Sequence, residues 1–328
     1  MSISSPWFDR KFLVTGAPRS GTTVLGRIMA GSPAVNYVWE PFNNRYRANV
    51  PDYYPYIGAS SPAAKRTAYN DLVQATLRLK QLDAYIAIRE NDSLPIRMGK
   101  RLGLNRNFVH YRQVQLRQRL RRPTTLLCKD PIAIFLSQYL VEEHGFTVVG
   151  IVRHPVAVAE SRRRLNWTFD FDWWRAQPDL YQEHVQAIDA DLRNEDVTDG
   201  AVQAAYHWLT CYRFLHALKV RHPDRVLLVR HEDLCLLPTE TTTECMNFVG
   251  LPAADKLLAQ ARVLTSGKQL EMSSHHMARL ESRAAQELVF KWKQSVTPQD
   301  FATLTRVTEE FARTWYPEPE YWERTTGG

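Results

Sequence analysis

The 328-residue chain is short of cysteine and of long apolar runs. Its four cysteines are Cys128, Cys211, Cys235 and Cys245. None forms a CxxC pair and all sit in apolar stretches, which argues against a disulfide scaffold and for free thiols in a reducing compartment. No run approaches the roughly 18 apolar residues of a membrane span. Met1 to Arg10 lacks the apolar segment of a secretory signal. The expectation is a soluble cytoplasmic protein, with a lumenal catalytic domain cut from its anchor as the alternative. There is no internal repeat and no low-complexity tract. The most telling absence is a single lysine. Residues 16–23 read Gly-Ala-Pro-Arg-Ser-Gly-Thr-Thr after the apolar Phe12-Leu13-Val14. The spacing of Gly16 and Gly21 is that of a triphosphate-binding P-loop, but Thr22 stands where the lysine that reaches the β/γ-phosphates belongs. Arg19 supplies a cation from inside the loop instead. A loop so built suits a nucleotide other than ATP or GTP.

What is present is ordinary globular composition, with 44% hydrophobic, 23% charged and 11% aromatic residues. A net charge of +7 favours an anionic partner, whether cofactor, acidic glycan, nucleic acid or membrane surface. Apolar, β-branched runs predict strands at 11–15, 35–39, 124–129, 147–152 and 225–229. Helical periods predict helices at 22–30, 64–89, 132–143, 155–164, 201–220, 239–249 and 298–315. The alternation implies an α/β fold, a central parallel sheet covered on both faces in three α/β/α layers. Ligands in such sheets bind beyond the carboxyl ends of the strands. One domain of 1–328 is expected, with 66–122 as a mostly helical insertion or cap.

Four motifs fall at those strand ends. The first is the loop. Gly16 and Gly21 allow close backbone approach, and the helix after them points free N–H groups and its positive dipole end at an anion. Thr22 and Thr23 add hydroxyls, and Arg19 a guanidinium suited to bidentate binding of oxyanions. The second is Arg153-His154-Pro155 after the fourth strand, with Ser161 two turns along the next helix. Arg153 and Ser161 can hold a second, separate phosphate; a salt-bridging arginine is the plainer reading. The third is Glu40-Pro41 after the second strand. The residue before proline is biased to extended backbone, so Glu40 should end the strand beside the loop, either as general base for an acceptor hydroxyl or as ion-pair partner of Arg19 or Lys129. The fourth is Lys129-Asp130-Pro131, where Lys129 can neutralise charge developing on a transferred group.

In combination and order these motifs resemble the sulfotransferase superfamily, which uses 3′-phosphoadenosine 5′-phosphosulfate (PAPS) as co-substrate. The resemblance rests on Pro18-Arg19-Ser20-Gly21-Thr22-Thr23, Glu40-Pro41, Lys129-Asp130-Pro131 and Arg153 with Ser161. It covers residues 11–165 well. More loosely, Arg230-His231-Glu232-Asp233-Leu234 resembles a Tyr-Glu-Asp-Leu segment and Lys291-Trp292-Lys293 a C-terminal Lys/Trp segment. It implies the P-loop-containing fold, a 5′-phosphosulfate held by Pro18, Arg19, Ser20, Gly21, Thr22 and Thr23, a 3′-phosphate held by Arg153 and Ser161, and no metal. The Glu-Pro and Lys-Asp-Pro pieces look most like the carbohydrate and tyrosylprotein branches, where such a glutamate is the base. That implies Glu40, Arg19 and Lys129 as the catalytic set. His231 stands where the family has tyrosine and carries no cofactor role over. Ser273 or Ser274 corresponds to a late cofactor-contacting serine.

For the acceptor, the favoured expectation is a carbohydrate or glycolipid hydroxyl, ahead of peptide tyrosine. A P-loop nucleotide kinase and a non-catalytic anion-binding module are the readings from other classes. Residues 97–122 carry nine Lys/Arg and no acid. They form either a solvated helix face or a contact with an anionic glycan or membrane surface. Nucleic acid is disfavoured because no recognition motif accompanies the charge. Trp167, Trp173 and Trp174 in 166–174 can stack on sugar rings or cover the site, with core packing expected for at least two. His275-His276 reads as surface.

Overall fold

The computed structural model describes residues 8–47, 49–80, 88, 93–102, 106–265 and 289–324. Ser273, Ser274, His275 and His276 lie outside the described residues, as does most of 81–92.

Five strands form one sheet: β1 (Arg10–Thr15), β2 (Val35–Trp39), β3 (Thr125–Lys129), β4 (Thr147–Val152) and β5 (Val226–Arg230), in the order β2-β3-β1-β4-β5. Every pairing is parallel. The strands are apolar on both faces because both are covered. Leu13, Val38, Leu126, Cys128, Val148 and Val152 enter the larger core. Their neighbours Phe12, Val14, Val35, Leu127, Val149 and Ile151 enter a second core on the other face. The period of two along each strand assigns these sides.

Helix α1 (Thr22–Met29) leaves the first loop, α2 (Ala63–Leu77), α3 (Leu94–Arg101) and α4 (Arg106–Arg121) lie between β2 and β3, α5 (Ser137–Glu142) precedes β4, and α6 (Pro155–Arg163) follows it. Tyr69, Leu72, Val73 and Leu77 of α2 and Tyr111 and Val114 of α4 share the larger core with the sheet. Further helices run over Gly200–Arg221, Pro238–Phe248, Asp255–Thr265 and Pro298–Ala312.

Strand limits match the sequence expectation to within a residue. Helices differ more. The helix expected over 64–89 stops at Leu77, and Leu79 turns left-handed at φ 49°. The segment expected as one helix over 132–143 is a 3-10 turn at Ile132–Ile134, with Ala133 off helical backbone at ψ 18°, followed by α5. Asp255–Thr265 and the short helices between Asp172 and Leu192 are not among the expected helices.

Parallel pairing in this register ends all five strands on one edge. Trp39 pairs with Lys129, Val14 with Lys129, Thr15 with Gly150 and Val152 with Arg230. Each motif of the sequence therefore reaches the same edge. The order of strands reverses direction around β1, which makes the β1/β4 crevice a topological switch point.

Candidate active site

The loop after β1 folds against β4. Gly16 (φ 152°) and Gly21 (φ 103°) are both left-handed, and neither has room for a Cβ. At Gly16 it would stand 2.4 Å from the Ile151 carbonyl oxygen, and at Gly21 2.5 Å from Cδ2 of His231. Gly21 caps α1 and no side chain bonds that helix start, so the N–H end of an eight-residue helix stays open beside Thr22 and Thr23. Tyr212, fully buried beneath the loop, donates to the Ile151 carbonyl (2.9 Å) and accepts from Ala17 N–H (3.3 Å). Sequence reasoning did not single out Tyr212. Its helix, Gly200–Arg221, is buried on nearly every side, so position alone does not mark it.

Arg19 also has a left-handed backbone, φ 80°, which costs a non-glycine residue of order 1–3 kcal/mol. Its Nε donates to the Ser161 hydroxyl at 3.0 Å, and Arg153 Nη1 donates to the Arg19 carbonyl at 3.0 Å. The two anion motifs expected from sequence are thus joined directly. Burial, then the charges of Arg153 and Arg164, pull Arg19 down to about 10. Burial likewise lowers Arg153, whose Nε is buried without a hydrogen-bond partner. Arg164 follows Ser161 by three residues, on the same face of α6. Exposed Trp167 lies under the Arg19 guanidinium, 5.5 Å from CZ to ring centroid. Clustered guanidiniums, an orphaned buried N–H and an open helix start fit a ligand with two anionic groups.

Behind Arg153, Glu232 accepts from His154 N–H (3.1 Å) and from the Tyr316 hydroxyl (2.7 Å), and Trp208 Nε1 donates to the Arg153 carbonyl (2.8 Å). Burial raises the Glu232 carboxyl. His154 is fully buried among Trp292 (stacked, 4.9 Å), Tyr316, Tyr321 and Trp322, and burial drives it down to about 3. His231 is held neutral by burial and by Arg153, its ring walling Gly21.

On the other side of the loop, Lys129 Nζ donates to Glu40 Oε1 at 2.5 Å and Asn43 Nδ2 to Oε2 at 2.7 Å. The pair is buried, Lys129 at 1% and Glu40 at 7% exposure. Gly26 of α1 makes room for the lysine stem; a Cβ there would meet Lys129 Cγ at 2.8 Å. Glu40 ends its strand as expected, but not in extended backbone. Its φ is 47°. The turn imposes this: Glu40 N–H bonds the Lys129 carbonyl (2.8 Å), and Phe42 N–H bonds Asp130 Oδ2 (2.8 Å). These contacts outweigh the bias that proline places on its predecessor. Burial and the Glu40 charge raise the Asp130 carboxyl, against its two backbone N–H bonds and Lys129. Glu40 takes the Lys129 partnership foreseen for it and not the Arg19 one.

The aromatic cluster divides. Trp174 is core, stacked on buried His207. Trp173 lies 4.2 Å from Tyr53, ring to ring, and Trp167 remains at Arg19. A hollow of about 350 Å³ beside Tyr53 and Trp173 is also lined by Asn44, Arg45, Asp52 and Gln177. It adjoins the Glu40–Asn43 turn, since Arg45 N–H bonds Asn43 Oδ1 at 2.9 Å.

Comparison with known proteins identifies the family. The sulfotransferase family model matches residues 12–255, nearly three quarters of the chain. No curated protein matches. Solved structures similar to it include the sulfotransferase domain of the Synechococcus PCC 7002 olefin synthase, 19% identical over 92% of this chain and 94% of that one, with a TM-score of 0.46. Sulfotransferase STF9 from Mycobacterium avium is 15% identical over 94% and 77%, with a TM-score of 0.42. Mouse sulfotransferase SULT7A1, solved with PAP, is 15% identical over 97% and 92%, with a TM-score of 0.39. The chain belongs to the sulfotransferase family, enzymes that take their sulfuryl group from PAPS.

Proposed function

We propose that the chain transfers the sulfuryl group of PAPS to a hydroxyl of a carbohydrate or glycolipid, without a metal. Pro18 to Thr23 would hold the 5′-phosphosulfate through the α1 helix start and Arg19. Arg153 and Ser161 would hold the 3′-phosphate. Glu40 takes the acceptor proton as the hydroxyl oxygen bonds to sulfur, the sulfur–phosphate oxygen bond breaks, and phosphoadenosine phosphate leaves with that electron pair. Lys129 and Arg19 face the negative charge on the sulfuryl and bridging oxygens, as fixed cations do in phosphoryl transfer.

The observation that carries this reading is the Arg19–Ser161 bond. It brings the two motifs proposed to bind the donor together beside a buried Glu40–Lys129 pair. The Tyr53–Trp173 hollow supports a ring-bearing acceptor, with apolar ring faces and a polar rim. Four buried free thiols support a cytoplasmic setting.

The test is titration with phosphoadenosine phosphate and with ATP-Mg²⁺, followed by labelled-sulfate transfer from PAPS to glycan, lipid and protein fractions. Tight metal-independent binding of the first ligand and label in glycan or glycolipid are expected. Preference for ATP-Mg²⁺ overturns the donor, and label confined to protein tyrosine overturns the acceptor. Glu40→Gln should keep phosphoadenosine phosphate affinity while kcat falls roughly 10²–10⁴-fold. Unchanged turnover would remove the base from Glu40.

A further inference from the structure

Helices α3 and α4 carry an exposed apolar surface that the sulfuryl-transfer site does not use. Of the thirteen large hydrophobics exposed among the described residues, seven are Leu94, Ile96, Met98, Leu102, Val109, Leu116 and Leu120. The stretch 94–122 that holds them carries nine basic residues and no acid.

Their arrangement on α4 is ordered. At 100° per residue, Val109, Leu116 and Leu120 fall within about 40° of one another. Arg112 and Arg119, both exposed, flank that stripe on one side. Arg117 lies beyond Gln113 on the other, with its Nη2 on the Ser32 carbonyl. The opposite face of α4, Tyr111, Val114 and Gln118, is buried. On α3, Leu94 and Met98 share one face by the four-residue spacing, and Leu102 continues it past the helix end. A helix packed on one face gains nothing from leucines on the other unless something covers them. An apolar stripe edged by exposed arginines is the pattern of a helix lying in a bilayer interface, its leucines in the acyl boundary and the Arg112 and Arg119 guanidiniums reaching back to the headgroups. Among the described residues no helix is long and apolar enough to cross a membrane, so the contact would be peripheral.

We infer that the outer face of α4 docks on an anionic phospholipid bilayer. The charge complements an anionic leaflet. A second copy of the chain would bring the same arginines together, and a soluble polyanion would leave the leucines uncovered. The inner face of the same helix ties it to the site: Trp39 N–H bonds His110 Nε2 (3.2 Å) and Tyr111 donates to the Trp39 carbonyl (3.2 Å). The docked face therefore lies about one helix diameter, roughly 10–12 Å, from the residue preceding Glu40.

The test is co-sedimentation of the full chain with phosphatidylcholine vesicles, with and without about 30 mol % phosphatidylserine. Binding is expected only to the anionic vesicles. Leu116→Ser with Leu120→Ser, at exposed positions, should weaken it about tenfold, and Arg112→Glu with Arg119→Glu, at the two exposed arginines that flank the stripe, should abolish it. Phosphoadenosine phosphate binding by all these variants should equal wild type, which separates this contact from the nucleotide site. Failure to bind anionic vesicles overturns the inference. So does full vesicle binding by the leucine variant, which would mark a purely electrostatic surface, or a dimer that the leucine variant dissolves while vesicles are ignored.

Discussion

Arg19 Nε donates to the Ser161 hydroxyl at 3.0 Å across 142 residues of sequence. The loop after β1 and the strand–helix turn after β4 are therefore in direct contact, and the donor site proposed for them would be one continuous site. Lysine in place of Arg19 offers no second nitrogen with which to hold both Ser161 and a ligand.

Arg19→Lys and Ser161→Ala should each weaken phosphoadenosine phosphate, by about 10–100-fold for the loss of a charge-assisted bond. Arg164→Ala, at an exposed side chain whose charge already lowers Arg19 and Arg153, should weaken it a few-fold and steepen nothing else. Isothermal titration at two salt concentrations checks this. Equal affinity in Arg164→Ala at low salt would place that guanidinium outside the site.

Lys129→Met should destabilise the fold by about 3–5 kcal/mol, since it strands the buried Glu40 carboxylate. Adding Glu40→Gln should return most of that stability, with sulfuryl transfer lost in both variants. Urea unfolding of the two single variants and the double variant measures the coupling. A Lys129→Met protein as stable as wild type would show the pair to be solvated.

Gly21→Ala should abolish nucleotide binding and lower stability by more than the about 1–2 kcal/mol of a left-handed alanine, because its Cβ also meets His231. His231→Ala combined with it would remove the Cβ contact at 2.5 Å but not the backbone cost, so recovery should be partial. Full recovery would assign the whole defect to the imidazole.

His154 sets part of the acid limit. Burial lowers it from 6.5 to about 3, so between those values the unfolded chain binds a proton that the native chain refuses. Stability then rises with pH in that window and falls as pH drops below 6.5. His144, lowered to about 4 by burial, acts in the same direction; the raised Asp130 opposes them. His154→Phe removes one such proton. Its stability relative to wild type should improve by about 2 kcal/mol on going from pH 7.5 to pH 5. Urea midpoints at the two pH values report it, and an unchanged difference would mean that the imidazole charges in the native state.

The strands and the site motifs were legible because each is a local signal: a β-branched run, then Gly-x₄-Gly, Glu-Pro, Lys-Asp-Pro or Arg-His-Pro. Parallel pairing did the rest by ending every strand on one edge. What escaped was non-local. Nothing in the spacing around Tyr212 or Trp167 says that they meet Ile151 and Arg19, from 61 and 148 positions away. Glu40 was placed correctly but with the wrong backbone, because a turn closed by Asp130 overrides the preference of a residue before proline. The aromatic run at 166–174 gave no way to divide core from surface; only packing against His207 and Tyr53 does so.

Residues 315–322 close over His154 and Glu232, one position from Arg153 and from His231 respectively. Arg230 bonds the Trp315 carbonyl (2.9 Å) and Glu318, and Trp322 Nε1 bonds the Tyr316 carbonyl (2.7 Å). Residues 315–322 belong to no strand, yet they clasp the backbone that aims the Arg153 guanidinium. A proteolytic nick ahead of Tyr316 would be felt first as lost nucleotide affinity, with the sheet still folded. A reporter fused behind Trp322 would test the clasp before it tested anything else.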